Sequence, residues 1–234
     1  MKKLISNPLI VALDVDTDTE AVKLADNLQD VAGGFKIGPR LVQRYGQTLS
    51  LEIARRGSLF IDCKFFDIPS TMESSVRACF ESGASLVTVH ALSGQEALSR
   101  LASVEKELNS IRPFKILCVT ILTSFSEEGL PPNLKSQSIK THVQDLAKLV
   151  KRSGLDGVVC SAEELELLQN QNLFLVTPGI RFDLEEKGDQ KRTMGPGEAM
   201  KKGASALVVG RPIIQAKNPR EAAVDYMVAI TQKK

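Results

Sequence analysis

The sequence predicts a single (β/α)8 TIM barrel of the α/β class spanning residues 1–234, and three features of the chain point to it. Short β-branched runs alternate with segments whose apolar residues recur at helical spacing. A polar residue with glutamate three positions on recurs after predicted strands, a pattern that opens helices. The main rival, a doubly wound open sheet, is disfavoured because no G-x-G-x-x-G follows the first strand and no P-loop is present.

Taken in order, strands are predicted at residues 9–14, 34–37, 59–64, 86–90, 116–122, 157–160, 173–177 and 206–209. Between them lie apolar stripes such as Ala21/Leu24/Ala25/Leu28, Ala97/Leu101/Val104/Leu108 and Ile139/Val143/Leu146/Val150. Each stripe returns to one side of a 3.6-residue helix and has the width needed to cover a sheet. The expected helix starts are Thr17/Glu20, Ser70/Glu73, Ser93/Glu96, Ser161/Glu164 and Asn218/Glu221. In the last of these Pro219 takes the first helical position, where a missing N–H costs nothing.

Composition narrows the function classes. Net charge is +2, from 30 Lys+Arg against 28 Asp+Glu, so no overall field steers the chain to nucleic acid or an anionic membrane. The first apolar run, Leu9 to Leu13, is too short for a signal-peptide core or a membrane span. Cys63, Cys79, Cys118 and Cys160 show no C-x-x-C spacing and read as thiols of a cytoplasmic protein.

In a barrel the chemistry belongs at the carboxyl ends of the strands. Side chains two apart on a strand share a face, so Phe60, Asp62 and Lys64 are expected to point inward while Ile61 and Cys63 meet the helices. The first strand brings Asp14 to the same mouth, the second brings Lys36, and Asp67 follows the third. Any one of these alone reads better as a solvated charge at a strand end. Together they form an alternating carboxylate–ammonium array, which is costly to bury unless paired. Such an array keeps a lysine protonated for use as a general acid and places fixed charge where a reaction develops it.

The seventh and eighth strands are followed by Thr177–Pro178–Gly179–Ile180–Arg181 and Val209–Gly210–Arg211–Pro212. Either is compatible with ordinary turn chemistry. Both together, each with an arginine, predict a phosphate site at the position where barrels commonly bind one. The long polar segment 182–196 is expected to act as a closing lid, whereas the loop 124–138 offers no clear function.

These residues resemble orotidine 5′-phosphate decarboxylases. The matching pieces are Ala12–Leu13–Asp14, Phe35–Lys36–Ile37–Gly38, the D-x-K-x-x-D-I-P-x-T run from Asp62 to Thr71, Val89–His90–Ala91, Leu122–Thr123–Ser124, Pro178 to Arg181, Gly188–Asp189–Gln190 and Val209 to Pro212. They follow the family's order over nearly the whole chain.

The resemblance implies a homodimer that converts orotidine 5′-phosphate to UMP without metal or organic cofactor. It assigns Lys64 as proton donor to C6 of the pyrimidine, with Asp62 and Lys36 in the charged array and Asp67 reaching in from the partner subunit. It assigns Asp14, Lys36 and the partner's Thr71 to the ribose, and Thr123 to the base. Gln190, Arg181, Gly210 and Arg211 fall to the phosphate.

Two rivals differ in stated residues. A metal-dependent relative such as 3-keto-L-gulonate 6-phosphate decarboxylase or hexulose phosphate synthase resembles the D-x-K-x-x-D run but calls for a glutamate where Lys36 stands. A non-catalytic phosphate- or nucleotide-binding barrel needs Arg181, Gly210 and Arg211 but not Lys64. His90 is expected to be a hydrogen-bonded structural residue, His142 a helix-surface residue, and Asp16 and Asp18 turn and helix-start residues.

Overall fold

The computed structural model describes residues 3–182 and 193–232. Eight parallel strands close into a barrel in chain order. They are β1 (Leu9–Ala12), β2 (Gly34–Ile37), β3 (Ser58–Phe65), β4 (Ala84–His90), β5 (Lys115–Val119), β6 (Gly157–Val159), β7 (Phe174–Thr177) and β8 (Ala206–Val209). The helices around them are α1 (Asp18–Leu28), α2 (Pro39–Ala54), α3 (Pro69–Glu81), α4 (Gly94–Ile111), α5 (Ile139–Arg152), α6 (Leu165–Leu168), α7 (Pro196–Lys201), α8 (Arg211–Ile214) and α9 (Pro219–Thr231). Every expected strand is present. β1 and β5 stop short of the expected ends, leaving Asp14 and Leu122 to the loops at the barrel mouth.

Two apolar layers follow from strand alternation. Ile10, Ala12, Phe60, Leu86, Leu117, Val176, Ala206 and Val208 fill the barrel interior. The opposite faces, including Leu9, Val11, Phe35, Leu59 and Ile61, join the larger core between sheet and helices. All four residues of the α4 stripe and all four of the α5 stripe are buried there; on α1, Leu24 is only partly covered. The interior packing makes the barrel a solid support, so polar groups enter it only near the mouth.

The expected helix starts divide. Thr17 and Asn218 accept hydrogen bonds from the Glu20 and Glu221 amides, and Ser161 with Glu164 forms a complete reciprocal box on a short 3-10 turn. Ser70 and Ser93 do not cap. α3 already begins at Pro69, which puts Ser70 inside its first turn, and Ser93 sits in helical backbone without a capping bond. Proline supplies the α3 start by presetting φ, so a side-chain cap there is dispensable.

His142 is more than a surface residue: its Nε2 lies 2.7 Å from the Leu134 carbonyl oxygen. Glu127 accepts from the Ile139 amide, so both contacts tie the 124–138 loop to the start of α5. No disulfide joins the four cysteines. Among the described residues, no helix is long and apolar enough to cross a membrane.

Gly157 shows how tightly the barrel closes. A Cβ placed on it would lie 2.2 Å from the Ile116 carbonyl oxygen on β5, which cannot yield without breaking the ladder. Gly157→Ala is therefore expected to cost about 2 kcal/mol or more. Urea denaturation checks this, through a lower midpoint at unchanged slope.

Candidate active site

The mouth of the barrel opens into a cleft of about 740 Å³. One wall carries charge from three adjacent strands. Lys36 on β2 donates to Asp14 Oδ1 at 3.1 Å, and its ammonium lies 3.6 Å from Asp62 Oδ2. Lys64 donates from Nζ to the other oxygen of the same carboxylate, Asp62 Oδ1, at 2.9 Å. Asp62 therefore bridges two ammonium groups, one on each oxygen.

Burial differs sharply along this row. The Lys36 side chain is 11% exposed and that of Asp62 14%, whereas Lys64 is 40% exposed and faces the cleft. Burial by itself would push the Lys36 ammonium toward neutrality, but Asp62 and Asp14 outweigh it and hold its pKa above the ordinary lysine value. Burial would likewise raise Asp62, and the charges of Lys36 and Lys64, with hydrogen bonds from Lys64 and Thr88, keep it below the ordinary carboxylate value. Each buried charge is stabilised by its neighbours, so removing one leaves the next uncompensated.

The alternation rule puts Lys64 on the right face for an incomplete reason. After a one-residue shift between Leu59 and Phe60, β3 pairs with β4 as far as Ile61–Val87, and pairing resumes at Phe65–Val89. Four steps on β3 thus match two on β4, and Lys64 sits in this bulge with φ of +48°. Such backbone is unfavourable for a side chain longer than glycine and persists only where its surroundings hold it. Thr88, fully buried on β4, does so: its Oγ1 accepts from the Lys64 amide at 2.9 Å and its O–H donates to Asp62 Oδ1 at 2.9 Å. Sequence reasoning passed over Thr88. The available signal was a polar residue on the inward face of β4, in line with Leu86 and His90.

Of the other expected site residues, Thr123, Arg181, Gly210 and Arg211 all line the cleft. Arg181 is buried, and its amide donates to the Met194 carbonyl, which anchors the end of the β7 loop. Gly210 caps α8, with Pro212 in the first helical turn. Asp67 and Thr71 do not line the cleft of their own chain; both are exposed. Asp67 accepts from the Ile68 amide, and among the described residues no ion pair joins it to Lys64. Gln190 and most of the 182–196 segment expected to close over the site lie outside the described residues.

His90 has the expected structural role, since its Nδ1 accepts from the Leu92 amide at 3.3 Å. Burial and the nearby Lys64 charge hold its pKa below the usual histidine value. Its ring stacks against Phe66 at 5.7 Å between centroids. Cys63, beside the array, has its thiol pushed up to about 11 by burial and by Asp62, which keeps it protonated and unreactive. Asp18 opens α1 as expected, and Asp16 is bound by Arg40 at 2.7 Å.

The chain is similar to proteins of known name across nearly its whole length. An orotidine 5′-phosphate decarboxylase from Vibrio vulnificus (strain YJ016) is 40% identical over 220 residues, covering 92% of this chain and 94% of the relative. One from Rhodospirillum rubrum is 39% identical over 231 residues, covering 95% and 94%. Among solved structures, the crystal structure of orotidine 5′-phosphate decarboxylase from Lactobacillus acidophilus superposes with a TM-score of 0.84 at 30% identity, covering 97% of this chain and 100% of that one. The model of the orotidine 5′-phosphate decarboxylase / HUMPS family matches residues 7–226. By sequence, fold and the composition of its cleft, the chain belongs to that family.

Proposed function

We propose that the protein decarboxylates orotidine 5′-phosphate to UMP, the last step of de novo pyrimidine nucleotide synthesis, as a cytoplasmic homodimer that uses neither metal nor organic cofactor. The observation that carries this reading is the Lys64 ammonium, held 2.9 Å from Asp62 and exposed to a cleft with Arg181 and Arg211 on its far side.

The chemistry asks for such a group. Cleavage of the bond between C6 and the carboxylate releases carbon dioxide and leaves the electron pair on C6, in an orbital in the ring plane that the ring carbonyls cannot delocalise. An ammonium fixed beside C6 stabilises that charge as it develops and then transfers its proton there. Solvent reprotonates the resulting neutral amine after product leaves. Asp62 and Lys36 hold the donor in place and keep the row charged. Thr123 contacts the base, and Asp14 and Lys36 hold the ribose. Arg181, Gly210, Arg211 and Gln190 bind the phosphate, whose remote binding energy supports closure over the base.

Asp67 and Thr71 enter the partner's cleft. In support, Phe66 and Ile68 flank Asp67 with 63% and 64% of their surfaces exposed, and Leu92 lies nearby on the loop that His90 caps. An exposed apolar rim of this kind around an exposed carboxylate suits burial against a second copy.

Against a metal-dependent reaction stands Lys36. Its ammonium occupies the space beside Asp62 where a divalent cation would need a third oxygen ligand, and two cations there repel.

The test is a spectrophotometric assay of purified protein with orotidine 5′-phosphate in excess EDTA. Undiminished loss of substrate absorbance is expected. Absence of turnover, or activity on a sugar phosphate that EDTA abolishes, would overturn the reading.

A further inference from the structure

Outside the row of charges, the polar group placed with the most consequence is the Thr88 hydroxyl. It is completely buried, yet both of its hydrogen bonds go to the reacting wall: it accepts from the Lys64 amide and donates to Asp62 Oδ1, each at 2.9 Å. Lys64 Nζ donates to that same oxygen. The hydroxyl therefore fixes both ends of one lysine, its left-handed backbone directly and its ammonium through the shared carboxylate.

Nothing else on the two strands performs this task. In the bulge, where four residues of β3 face two of β4, the regular ladder offers the Lys64 amide no strand partner. Without the hydroxyl the amide would lose the acceptor it has in the bulge, and φ of +48° would lose the contact that selects it over ordinary extended backbone. A lysine leaving the left-handed region would carry its Cβ to a new position relative to Asp62, because the bulge sets where the side chain starts and the direction it takes.

We propose that Thr88 is the positioning residue for Lys64, setting the bulge that aims the ammonium at the reacting carbon. Thr88 does not line the cleft and needs no contact with substrate. The inference rests on the decarboxylase reading, and wild-type turnover of orotidine 5′-phosphate tests that reading separately.

The experiment compares Thr88→Val, which keeps the shape and removes the hydroxyl, with Thr88→Ser, which keeps the hydroxyl. Ser205→Ala serves as a control for lost stability, since it deletes a half-buried hydroxyl that accepts from the Leu175 amide at the opposite end of the barrel. Thr88→Val is expected to lower kcat about 10- to 100-fold with KM changed less than about threefold, because a hydrogen bond lost from a largely buried carboxylate is worth roughly one to two powers of ten. Thr88→Ser should recover most of the loss, and Ser205→Ala should leave kcat unchanged. A crystal structure of Thr88→Val should show Lys64 out of the left-handed region.

Wild-type kcat in Thr88→Val would overturn the proposal, as would a loss that Thr88→Ser fails to recover or one carried mainly by KM. Should Thr88→Val give no folded protein, Thr88→Ala takes its place under the same criteria. Absence of wild-type turnover would remove the decarboxylase reading itself, with the φ of Lys64 in the variant still deciding whether Thr88 sets the bulge.

Discussion

Lys64→Ala is expected to abolish turnover of orotidine 5′-phosphate almost completely while leaving the fold and UMP binding in place. On the proposed mechanism two contributions disappear together: the proton donor and the fixed positive charge facing C6. Each typically supplies two or more powers of ten in rate, so a loss of about 10⁴-fold or more in kcat follows. Folding is spared because the Lys64 side chain is far more exposed than those of Lys36 and Asp62, and Asp62 keeps Lys36 as a partner on its other oxygen. UMP lacks the carboxylate and presents an ordinary C–H at C6, so it has little need of the ammonium. On the proposed assignment its phosphate and ribose contacts would lie with Arg181, Arg211, Asp14 and Lys36, and affinity should stay within about tenfold. Stopped assays and calorimetric titration with UMP measure both quantities. A variant retaining normal kcat would remove the mechanism; one that lost UMP binding as well would show that Lys64 holds the ground state instead.

A second large effect comes from mixing two inactive chains. Asp67 lies exposed on the loop after β3, outside its own cleft, and makes no ion pair with Lys64 of the same chain. If it completes the partner's site, Asp67→Ala should lower activity by about 10²-fold or more, since the ammonium loses one of the acids that orient it. In a hybrid dimer of Lys64→Ala and Asp67→Ala chains, one site carries both defects and the other carries neither. Random exchange puts half the dimers in hybrid form, so recovery should approach about a quarter of wild-type activity. Native mass spectrometry establishes that exchange has occurred, and exchange without recovery would count against a shared site.

Much of the fold was legible because two periodicities suffice for it. Apolar residues two apart, as in Ile10 and Ala12, and stripes such as Ala97/Leu101/Val104/Leu108 place strands and helices without knowledge of their neighbours. The expected strands therefore all appear, with β1 and β5 ending earlier than expected. Helix starts were less legible. Ser161 and Glu164 form the reciprocal box the pattern implies, but Ser70 follows a proline that has already begun α3, and the local motif cannot report which signal acts first.

Site residues divide in the same way. Asp14, Lys36, Asp62 and Lys64 were identifiable because ionic side chains at inward positions near strand ends are too costly to bury without partners. Thr88 escaped notice since a threonine on a strand is ordinary, and its importance depends on which amide lies across from it.

The sequence alone determined the barrel, the sign and order of the charges at its mouth, and the arginines opposite them, since alternation and burial cost act along one chain. Only the tertiary structure decided how Lys64 reaches Asp62. The two-residue excess of β3 over β4 between Ile61 and Phe65 exists in the pairing of two strands and has no signature in either one. Left-handed backbone at a lysine becomes tolerable only where a neighbouring strand supplies the hydroxyl that satisfies it.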